Sequence, residues 1–343
     1  MIPERLREIT ARYAQLRIAV IGDFCLDRYL EIDSGRAETS IETGLPVYNV
    51  VNVRAQPGAA GTILNNLVAL GVGQIFPVGF CGEDGEGYEL LRALRSLPGV
   101  NARHFLQTGD RRTFTYCKPL IMTPGEPPRE LNRLDSKNWT PTPASVFTHL
   151  IGALEKLRAE VDAIILMDQV DIAETGAVTT PLLTSLRALE ENDGPAIPIV
   201  ADSRRGLRGY PPCIFKMNAA ELAALTSKPA DSSIPDIQQI ARGLAAKNGR
   251  TVFVTMAERG LIGAAPGGET AHVPSLPLRG PIDVVGAGDS VTANLTAALA
   301  AGAKLRESLE LAALASSIVI HQLGTSGAAS PQQMAGLLDG RSG

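Results

Sequence analysis

A run of small residues followed by an aspartate precedes a segment of helical periodicity near the C-terminus, reading PIDVVGAGDS over residues 281–290. Backbone N–H groups at a helix start point at one place and carry the positive end of the helix dipole. Gly286, Ala287 and Gly288 would leave these groups unobstructed, and Asp289 could accept a proton from an attacking hydroxyl. The pattern predicts a phosphoryl-transfer site. The alternative is that Asp289 only caps the helix and the glycines only permit close packing.

A second polar pair stands at another predicted helix start, in the string KMNAAE over residues 216–221. Asn218 and Glu221 are three residues apart, so a helix would place them on one face. There they could bind a ligand together. They could equally form a capping box, in which each side chain satisfies a backbone N–H group of the other residue.

Two carboxylates follow the first apolar segment, in the string IGDFCLDRY over residues 21–29. Open α/β sheets bind ligands at the carboxyl ends of their strands. Because ionised carboxylates are strong hydrogen-bond acceptors, Asp23 and Asp27 could hold the hydroxyl groups of a sugar. Ordinary turn and cap chemistry is the alternative for both residues.

Neither common nucleotide-binding fingerprint is present. The GAGDSV string of residues 286–291 lacks the third glycine of GxGxxG and lies far from the first predicted strand. No GxxxxGK[ST] motif occurs in the chain. A dinucleotide-binding site and a Walker loop are therefore not indicated.

Over essentially its whole length the chain resembles the ribokinase-like, or pfkB, carbohydrate kinases, whose second signature is a D-T-x-G-A-G-D run at this place. The resemblance implies that Asp289 is the catalytic base and that the amides of residues 286–288 form the anion hole. Asp283 matches the first aspartate of the signature. Val284 stands where the family has a threonine, so a hydroxyl contact at that position is lost.

The resemblance also implies ATP and Mg²⁺. Asn218 and Glu221 match an N-x-x-E motif that organises Mg²⁺ and phosphate through water, with Glu221 on the metal side. Thr255 and Gly260, in the string VFVTMAERG over residues 252–260, match the strand and turn that meet the nucleotide. With Asp283, these residues are the expected nucleotide-binding set, and a monovalent cation is a further candidate.

Within the family, the strings IGDFCLDRY (21–29) and LNRLD (131–135) most resemble the kinases that phosphorylate D-glycero-β-D-manno-heptose 7-phosphate. Where those kinases have PGGAAN this chain has PGAAGT over residues 57–62, and the lysine of their D-Y-x-K run is missing after Asp168. A DSRR string over residues 202–205 keeps the aspartate and the basic character of D-P-K. The expected substrate-binding residues are Asp23, Asp27, Gly58, Thr62, Asn66, Asp168 and Arg204.

The expected function is ATP-dependent phosphorylation of a sugar or sugar-phosphate hydroxyl, with a heptose 7-phosphate-like acceptor as one candidate. Arg204 and Arg205 predict a preference for a sugar phosphate if they pair with its phosphate. If the two arginines are instead solvated loop charges, no preference for a sugar phosphate is expected from them. A nucleoside kinase, or a catalytically weak sugar- or nucleotide-binding protein on the same fold, remains an alternative.

These residues must be positioned by alternating strands and helices. Short apolar segments predict strands at Arg17–Ile21, Ile75–Val78, Ala163–Met167, Ile197–Ala201 and Val252–Thr255. Helical periodicity predicts helices at Thr62–Leu70, Gly87–Leu97, Ala144–Glu160, Gly176–Asn192, Pro235–Asn248, Ser290–Ala301 and Leu305–Leu323. The alternation predicts an α/β fold, a ribokinase-like three-layer sandwich around a mostly parallel central sheet.

Two segments, 29–52 and 113–135, interrupt the alternation with short β-like stretches in turn-rich sequence. We expect them to form a small β lid over the substrate cleft, or a dimerisation surface. The expected organisation is a single kinase domain over residues 1–343, without a second catalytic half, forming a homodimer through the lid. Its expected partners are a sugar or sugar phosphate.

Composition narrows the class of protein. The 343 residues are 45% hydrophobic and 20% charged, with a formal charge of -4. This charge gives no positive field for nucleic acid, and no apolar run approaches the ~20 residues of a membrane span. With no signal-peptide pattern at the start, a cytoplasmic location is expected. Four scattered cysteines predict free thiols, four histidines show no metal spacing, and Trp139 is expected to be a packing anchor.

Overall fold

The computed structural model describes residues 1–191, 197–229, 231–324 and 326–340. Its strands are β1 (Arg17–Gly22), β2 (Phe24–Asp33), β3 (Glu38–Thr39), β4 (Pro46–Val47), β5 (Val50–Ala59), β6 (Gln74–Val78), β7 (Phe80–Gly82), β8 (Leu106–Thr108), β9 (Thr115–Met122), β10 (Arg129–Glu130), β11 (Leu134–Ser136), β12 (Ala163–Asp168), β13 (Ile199–Ser203), β14 (Ile214–Asn218), β15 (Val252–Thr255), β16 (Leu261–Ala264) and β17 (Thr270–Val273). Its α-helices are α1 (Pro3–Thr10), α2 (Ala60–Ala69), α3 (Gly85–Ser96), α4 (Ala144–Arg158), α5 (Thr180–Glu191), α6 (Ala219–Thr226), α7 (Ile234–Asn248), α8 (Ala287–Ala300), α9 (Leu305–Val319) and α10 (Pro331–Leu338).

The central sheet has eight strands in the order β6-β1-β12-β13-β14-β15-β16-β17. Neighbours from β6 to β15 are parallel, and β16 and β17 are antiparallel additions at one edge. Ile18 of β1 lies opposite Ile75 of β6 and Ala163 of β12, and all three side chains are buried. Apolar side chains on both strand faces are typical of a buried parallel sheet.

Helices cover both faces of this sheet. One buried cluster joins the sheet to α1, α2, α3, α8, α9 and α10, and a second joins it to α4, α5, α6 and α7. The three layers confirm the predicted α/β sandwich.

A separate sheet of five strands is formed by β2, β5, β9, β10 and β11. Strand β2 pairs with β5 in antiparallel and with β9 in parallel orientation. In the described part of the chain this sheet pairs with no strand of the central one. The predicted lid segment 113–135 supplies β9, β10 and most of β11 to it, whereas segment 29–52 supplies only the end of β2 and the start of β5 and carries β3 and β4 as a separate two-stranded sheet. The five-stranded sheet reaches beyond these segments because β2 already begins at Phe24, directly after the residue that follows β1.

Several element bounds differ from those predicted. Strand β13 begins at Ile199 rather than Ile197, and β14, β16 and β17 were not predicted. The predicted end of α5 at Asn192 lies outside the described residues. Trp139 is 73% exposed, so the expectation that it anchors packing is wrong. All four cysteines are buried free thiols, as predicted. None of the described helices is long and apolar enough to span a membrane.

Candidate active site

Polar residues gather where the parallel strands of the central sheet end. Asp23 follows β1, Asp168 ends β12, and Asn218 ends β14. Asp202 is the penultimate residue of β13. Since parallel strands end at the same edge, these side chains share one side of the sheet, the ligand-binding side of open α/β folds.

The start of α8 faces this edge with free backbone donors. Gly286 is the N-cap residue, with a positive φ of 80° that favours glycine. The Ala287 N–H donates back to Val284 O at 3.2 Å. Within the described residues, the N–H groups of Gly288 and Asp289 have no acceptor. These two groups are therefore free to bind an anion.

The Asp289 carboxylate does not cap this helix. No side chain caps α8, and the Asp289 carboxylate makes no hydrogen bond among the described residues. Burial raises its pKa from an ordinary 3.8 to about 7; the Asp202 and Asp27 charges also raise it, while Lys216 lowers it. A half-buried carboxylate with this pKa can take up and release a proton near neutral pH.

A buried ion pair, which the sequence did not indicate, lies beside this turn. Lys216 Nζ donates to Asp202 Oδ2 at 2.7 Å, and Thr292 Oγ1 donates to the same oxygen at 2.8 Å. Lys216 Nζ would be 3.2 Å from a Cβ built on Gly288, so the ammonium lies against the start of α8. A lysine between the apolar Phe215 and Met217 was the one signal that could have revealed it.

Asn218 and Glu221 form the capping box that was one of their two predicted roles. Asn218 Oδ1 accepts from the Glu221 N–H at 2.9 Å, and Glu221 Oε2 accepts from the Asn218 N–H at 2.7 Å. Burial raises the pKa of Glu221. The capping box leaves Glu221 Oε1 and the Asn218 side-chain amide without partners in the described chain, so both remain able to bind a ligand.

The acidic residues fit a magnesium ion that phosphates and water largely hold. Among the described residues, no group of three or more histidine, cysteine or carboxylate side chains could hold a metal ion. Magnesium in phosphoryl-transfer sites typically takes one or two carboxylates, with water and substrate phosphates completing its shell. The free Glu221 oxygen suits this arrangement, and the described residues form no cage of protein ligands alone.

Thr255 lies next to Asn218, and Gly260 lies in the turn between β15 and β16. Thr255 is opposite Asn218 in the β14–β15 register. Gly260 has a φ of 87°, and a Cβ there would be 2.1 Å from Val273 O, so only glycine fits the turn. Asp283 orders the loop before α8, because its two oxygens accept from the N–H groups of Val285 at 3.0 Å and Gly324 at 3.3 Å.

Asp27 is a carboxylate without a hydrogen-bond partner among the described residues. A Cβ on Gly58 would be 2.6 Å from its Oδ2. Burial raises its pKa, while the nearby Lys118 and Arg133 charges lower it. It also acts on the pKa of Asp289, so the two carboxylates lie within electrostatic reach of each other.

Asp23, by contrast, is fully engaged. Its Oδ2 accepts from the N–H groups of Gln169 and Val170, and its Oδ1 accepts from that of Ala177, at distances of 2.7 to 3.1 Å. Burial and the neighbouring Asp168 raise the pKa of Asp23 to about 6, against the effect of these three bonds. Asp23 therefore holds the loop after β12, and both of its oxygens are engaged internally.

Asp168 accepts hydrogen bonds from three side chains. Ser203, Arg205 and Tyr210 donate to its Oδ2 at 2.8 to 3.0 Å, and its buried Oδ1 has no partner among the described residues. Arg205 is thus committed to an internal ion pair. Arg204 is more than half exposed and faces Asp171 at 3.4 Å, so it remains accessible.

Thr62 and Asn66 are buried on α2. Asn66 Nδ2 donates to Thr62 O at 3.0 Å and to Gly327 O at 3.3 Å, which joins the helix to the segment after α9 and removes Asn66 from the surface. The Thr62 methyl group would be 3.5 Å from a Cβ on Gly286. Of the predicted substrate-binding set, the structure brings Asp27, Gly58 and Thr62 to the α8 turn or its neighbourhood. It engages Asp23 and Asn66 internally.

Comparison with known proteins gives a family match and similar relatives. The family profile described as pfkB family carbohydrate kinase matches residues 16–333. The chain is 31% identical over 310 residues to the bifunctional protein HldE of Azorhizobium caulinodans, covering 90% of this chain and 61% of that protein. It is 30% identical over 332 residues to HldE of Rhodospirillum rubrum, covering 96% and 64%. The chain thus spans a little over three fifths of these relatives.

Solved structures share the fold at low sequence identity. Ribokinase of Arabidopsis thaliana, complexed with ribose and ATP, superposes with a TM-score of 0.66 at 19% identity, covering 94% of this chain and 98% of that one. Phosphofructokinase-2 of Escherichia coli, in complex with fructose-6-phosphate, gives 0.69 at 16% identity, covering 96% and 100%. The described architecture is therefore ribokinase-like, as the sequence predicted.

Proposed function

The chain belongs to the pfkB family of carbohydrate kinases, and from this membership we propose that it transfers a phosphoryl group from ATP to a hydroxyl group of a sugar phosphate. One observation carries the proposal. Asp289, an unpartnered carboxylate in the described chain with a pKa raised to about 7, stands in the same helical turn as two free backbone N–H groups. A base and an anion hole in one turn are what hydroxyl phosphorylation requires.

Asp289 takes the proton of the attacking hydroxyl in this proposal. The N–H groups of Gly288 and Asp289 bind the oxygens of the transferring group, and Gly286 supplies the left-handed cap that turns them towards it. Ala287 contributes its small side chain rather than its N–H, which is already used by Val284 O. The positive end of the α8 dipole adds to the stabilisation of negative charge.

The nucleotide side of the site is assigned to Asn218, Glu221, Thr255 and Asp283. The free amide of Asn218 and the free oxygen of Glu221 would bind the phosphates, and Glu221 would hold Mg²⁺ through water. Magnesium supplies charge neutralisation on the nucleotide phosphates. One of the superposing phosphofructokinase-2 structures is a complex with potassium, so a monovalent cation near the Asp283 loop belongs to the proposal as well.

The proposed acceptor is a heptose 7-phosphate-like sugar phosphate. Similarity to the HldE proteins at about 30% identity supports this class of sugar. Asp27 is free to bind sugar hydroxyls. Lys118 and Arg133 act on the pKa of Asp27, and Arg204 acts on that of Tyr116, which lies opposite Asp27 in the β2–β9 register. Three basic side chains therefore lie near the acceptor side, although Arg133 is also paired with Asp135 and Arg204 with Asp171. Their charges suit the acceptor's own phosphate.

An ATP-consumption assay with Mg²⁺ and K⁺ tests the proposal over matched pairs of free sugars and their phosphates, heptoses included. We expect the highest kcat/KM for a sugar phosphate, and a higher thermal midpoint in millimolar Mg-ATP because the folded site binds it. A higher kcat/KM for nucleosides would establish a nucleoside kinase instead. Nucleotide binding without turnover of any acceptor would establish a weak binding protein on the same fold.

A homodimer through the five-stranded sheet is part of the proposal. Strand β5 is an edge strand whose residues 50–55 are all exposed, on both faces. Its apolar members are Val50, Val51, Val53 and Ala55. An exposed apolar edge strand is a template for pairing with another chain. Light scattering should give twice the chain mass, and Val51→Glu/Val53→Glu should give a monomer; a monomeric wild type would contradict the dimer.

The proposal treats residues 1–343 as one kinase domain with the five-stranded sheet as its lid. ATP is a cytoplasmic metabolite, so the reaction is assigned to the cytoplasm.

A further inference from the structure

We infer that Lys216 is a further catalytic residue, whose ammonium binds the transferring phosphoryl group while Asp202 serves as its buried counter-ion. The inference rests on the proposed kinase function and extends it to a residue pair that carries no role in the reaction as described above. It starts from the buried ion pair between β13 and β14 and from the place where that pair meets α8.

The Lys216 ammonium has donors to spare. Lysine carries three N–H donors, and among the described residues Asp202 is its one acceptor. The residue is only 7% exposed. Buried donors are normally satisfied, because an unpaired donor on a buried charged group destabilises the fold. Two unsatisfied N–H groups on one buried ammonium therefore indicate a ligand that is rich in acceptors.

The position of the ammonium identifies that ligand as an anion at the α8 turn. Lys216 Nζ would be 3.2 Å from a Cβ at Gly288 and would obstruct any larger residue there. The free N–H groups of Gly288 and Asp289 belong to the same turn. Backbone and lysine donors thus converge on one place, and a phosphoryl group offers three oxygens to them.

Asp202 keeps the ammonium charged and in place before the ligand arrives. Burial alone would lower the pKa of Lys216, and the Asp202 carboxylate outweighs this effect and raises it. The Thr292 hydroxyl, one turn along α8, shares its single proton between Asp202 Oδ2 at 2.8 Å and Gly288 O at 3.1 Å. The ion pair is therefore fastened to the same helix start whose amides would bind the phosphoryl group.

A purely structural ion pair would behave differently on removal. Lys216→Met alone strands a buried carboxylate and would destabilise the fold whatever its role. The double variant Lys216→Met/Asp202→Asn removes both charges, and the amide oxygen introduced at position 202 can still accept from Thr292. A structural pair replaced in this way should keep its stability and its activity, because no charge is left unpaired.

The experiment compares the wild type, Asp202→Asn and the double variant, with the exposed Lys228→Met as a matched control. Melting temperature, kcat, KM for the sugar phosphate, and Kd for Mg-ATP and Mg-ADP are measured on each. We expect the double variant to fold and to bind Mg-ADP like the wild type. Its affinity for Mg-ATP should drop about tenfold, and its kcat about 10²- to 10³-fold, the effect of losing one charged donor at a developing anion. Asp202→Asn alone leaves the ammonium without its charged partner, so its kcat should also fall, but by less than that of the double variant.

Wild-type kcat and wild-type affinity for Mg-ATP in the double variant would overturn the inference. If the double variant does not fold, Lys216→Gln/Asp202→Asn, which keeps polar side chains at both positions without their charges, takes its place: a lower ratio of ATP to ADP affinity supports the contact, and the wild-type ratio contradicts it. If the wild type binds ATP but phosphorylates no acceptor, the proposed kinase function fails, and the ATP-to-ADP ratio still tests Lys216. If the wild type binds neither nucleotide, both proposals fall.

Discussion

The carboxylate of Asp27 occupies the space that a side chain at residue 58 would need. A Cβ built on Gly58 would lie 2.6 Å from Asp27 Oδ2, closer than such atoms approach. The two residues belong to the paired strands β2 and β5 of the five-stranded sheet. Because residue 58 has no side chain, the Asp27 carboxylate can lie against the backbone there. This carboxylate has no hydrogen bond among the described residues, and it is on the proposed acceptor side of the site.

Gly58→Ala should impair substrate binding more than folding. The new methyl group would meet the end of a flexible side chain, so Asp27 can rotate away at little cost in stability. We expect a melting temperature within a few degrees of the wild type and a KM for the sugar phosphate raised about tenfold, the worth of one hydrogen bond to a charged group. Steady-state kinetics and thermal denaturation of one preparation check this. Unchanged KM would remove Asp27 from the binding site.

Ala59→Gly should stabilise the protein. Ala59 precedes α2 with φ 55° and ψ −116°, a conformation that glycine adopts readily and alanine does not. Such strain costs on the order of 1–3 kcal/mol, more than the roughly 0.4–1 kcal/mol that glycine loses through unfolded-state entropy. Urea denaturation should give a gain of about 1 kcal/mol. Ala60→Gly, at the first helical position with ordinary backbone angles, is the control and should lose stability.

Asp23 and Asp27 should respond oppositely to the same change. Asp23→Asn places an NH₂ group against one of three backbone N–H donors, so we expect a loss of about 1–3 kcal/mol in the free energy of unfolding. Asp27→Asn disturbs no hydrogen bond among the described residues; its stability should hold while kcat/KM for the acceptor falls. The reverse pattern, with Asp27→Asn unstable and Asp23→Asn defective only in binding, would exchange their proposed roles.

Asp289→Asn should raise stability, and more so at higher pH. The folded-state pKa of Asp289 is raised to about 7 from 3.8. Between these values the folded state binds more protons than the unfolded state, so wild-type stability falls as pH rises from about 4 to 7. The variant has no carboxyl group at this position, so its stability does not fall in this way as the pH rises. Its advantage in melting temperature over the wild type should grow from about pH 5 to about pH 8, and a constant difference would show that the carboxylate is not destabilised by burial.

The larger elements were predictable because their hydrophobic periodicity is undisturbed. Strands β1, β6, β12 and β15 and the helices that follow them lie within a few residues of their predicted positions. Strand β14 was missed because Lys216 interrupts its apolar pattern, and periodicity cannot tell a buried, ion-paired lysine from the end of a strand. The burial of Trp139 was wrongly predicted because residue type alone does not determine whether an aromatic side chain is buried, and this one is exposed.

Motif residues near α8 could be named from the sequence, since their spacing within one turn fixes their neighbourhood. Contacts between distant segments of the chain could not be predicted from the sequence. Asp23 and Asp27 look alike in sequence, and what separates them is a set of backbone donors from the segment 169–177. The Lys216–Asp202 pair joins two strands through residues fourteen positions apart. The capping-box and ligand-binding roles of Asn218 and Glu221 remained open because one geometry serves both.

The most direct test of the account is turnover by Asp289→Asn, measured with the Kd for Mg-ATP. The variant nearly preserves the shape of the side chain and removes its basicity. General-base catalysis typically contributes ~10²- to 10⁴-fold, so kcat should fall by about that factor while the Kd changes little and the melting temperature does not drop. The wild-type kcat/KM should also rise with pH through an apparent pKa near 7 that the variant lacks. A folded Asp289→Asn protein with wild-type turnover would contradict the proposed catalytic role of Asp289.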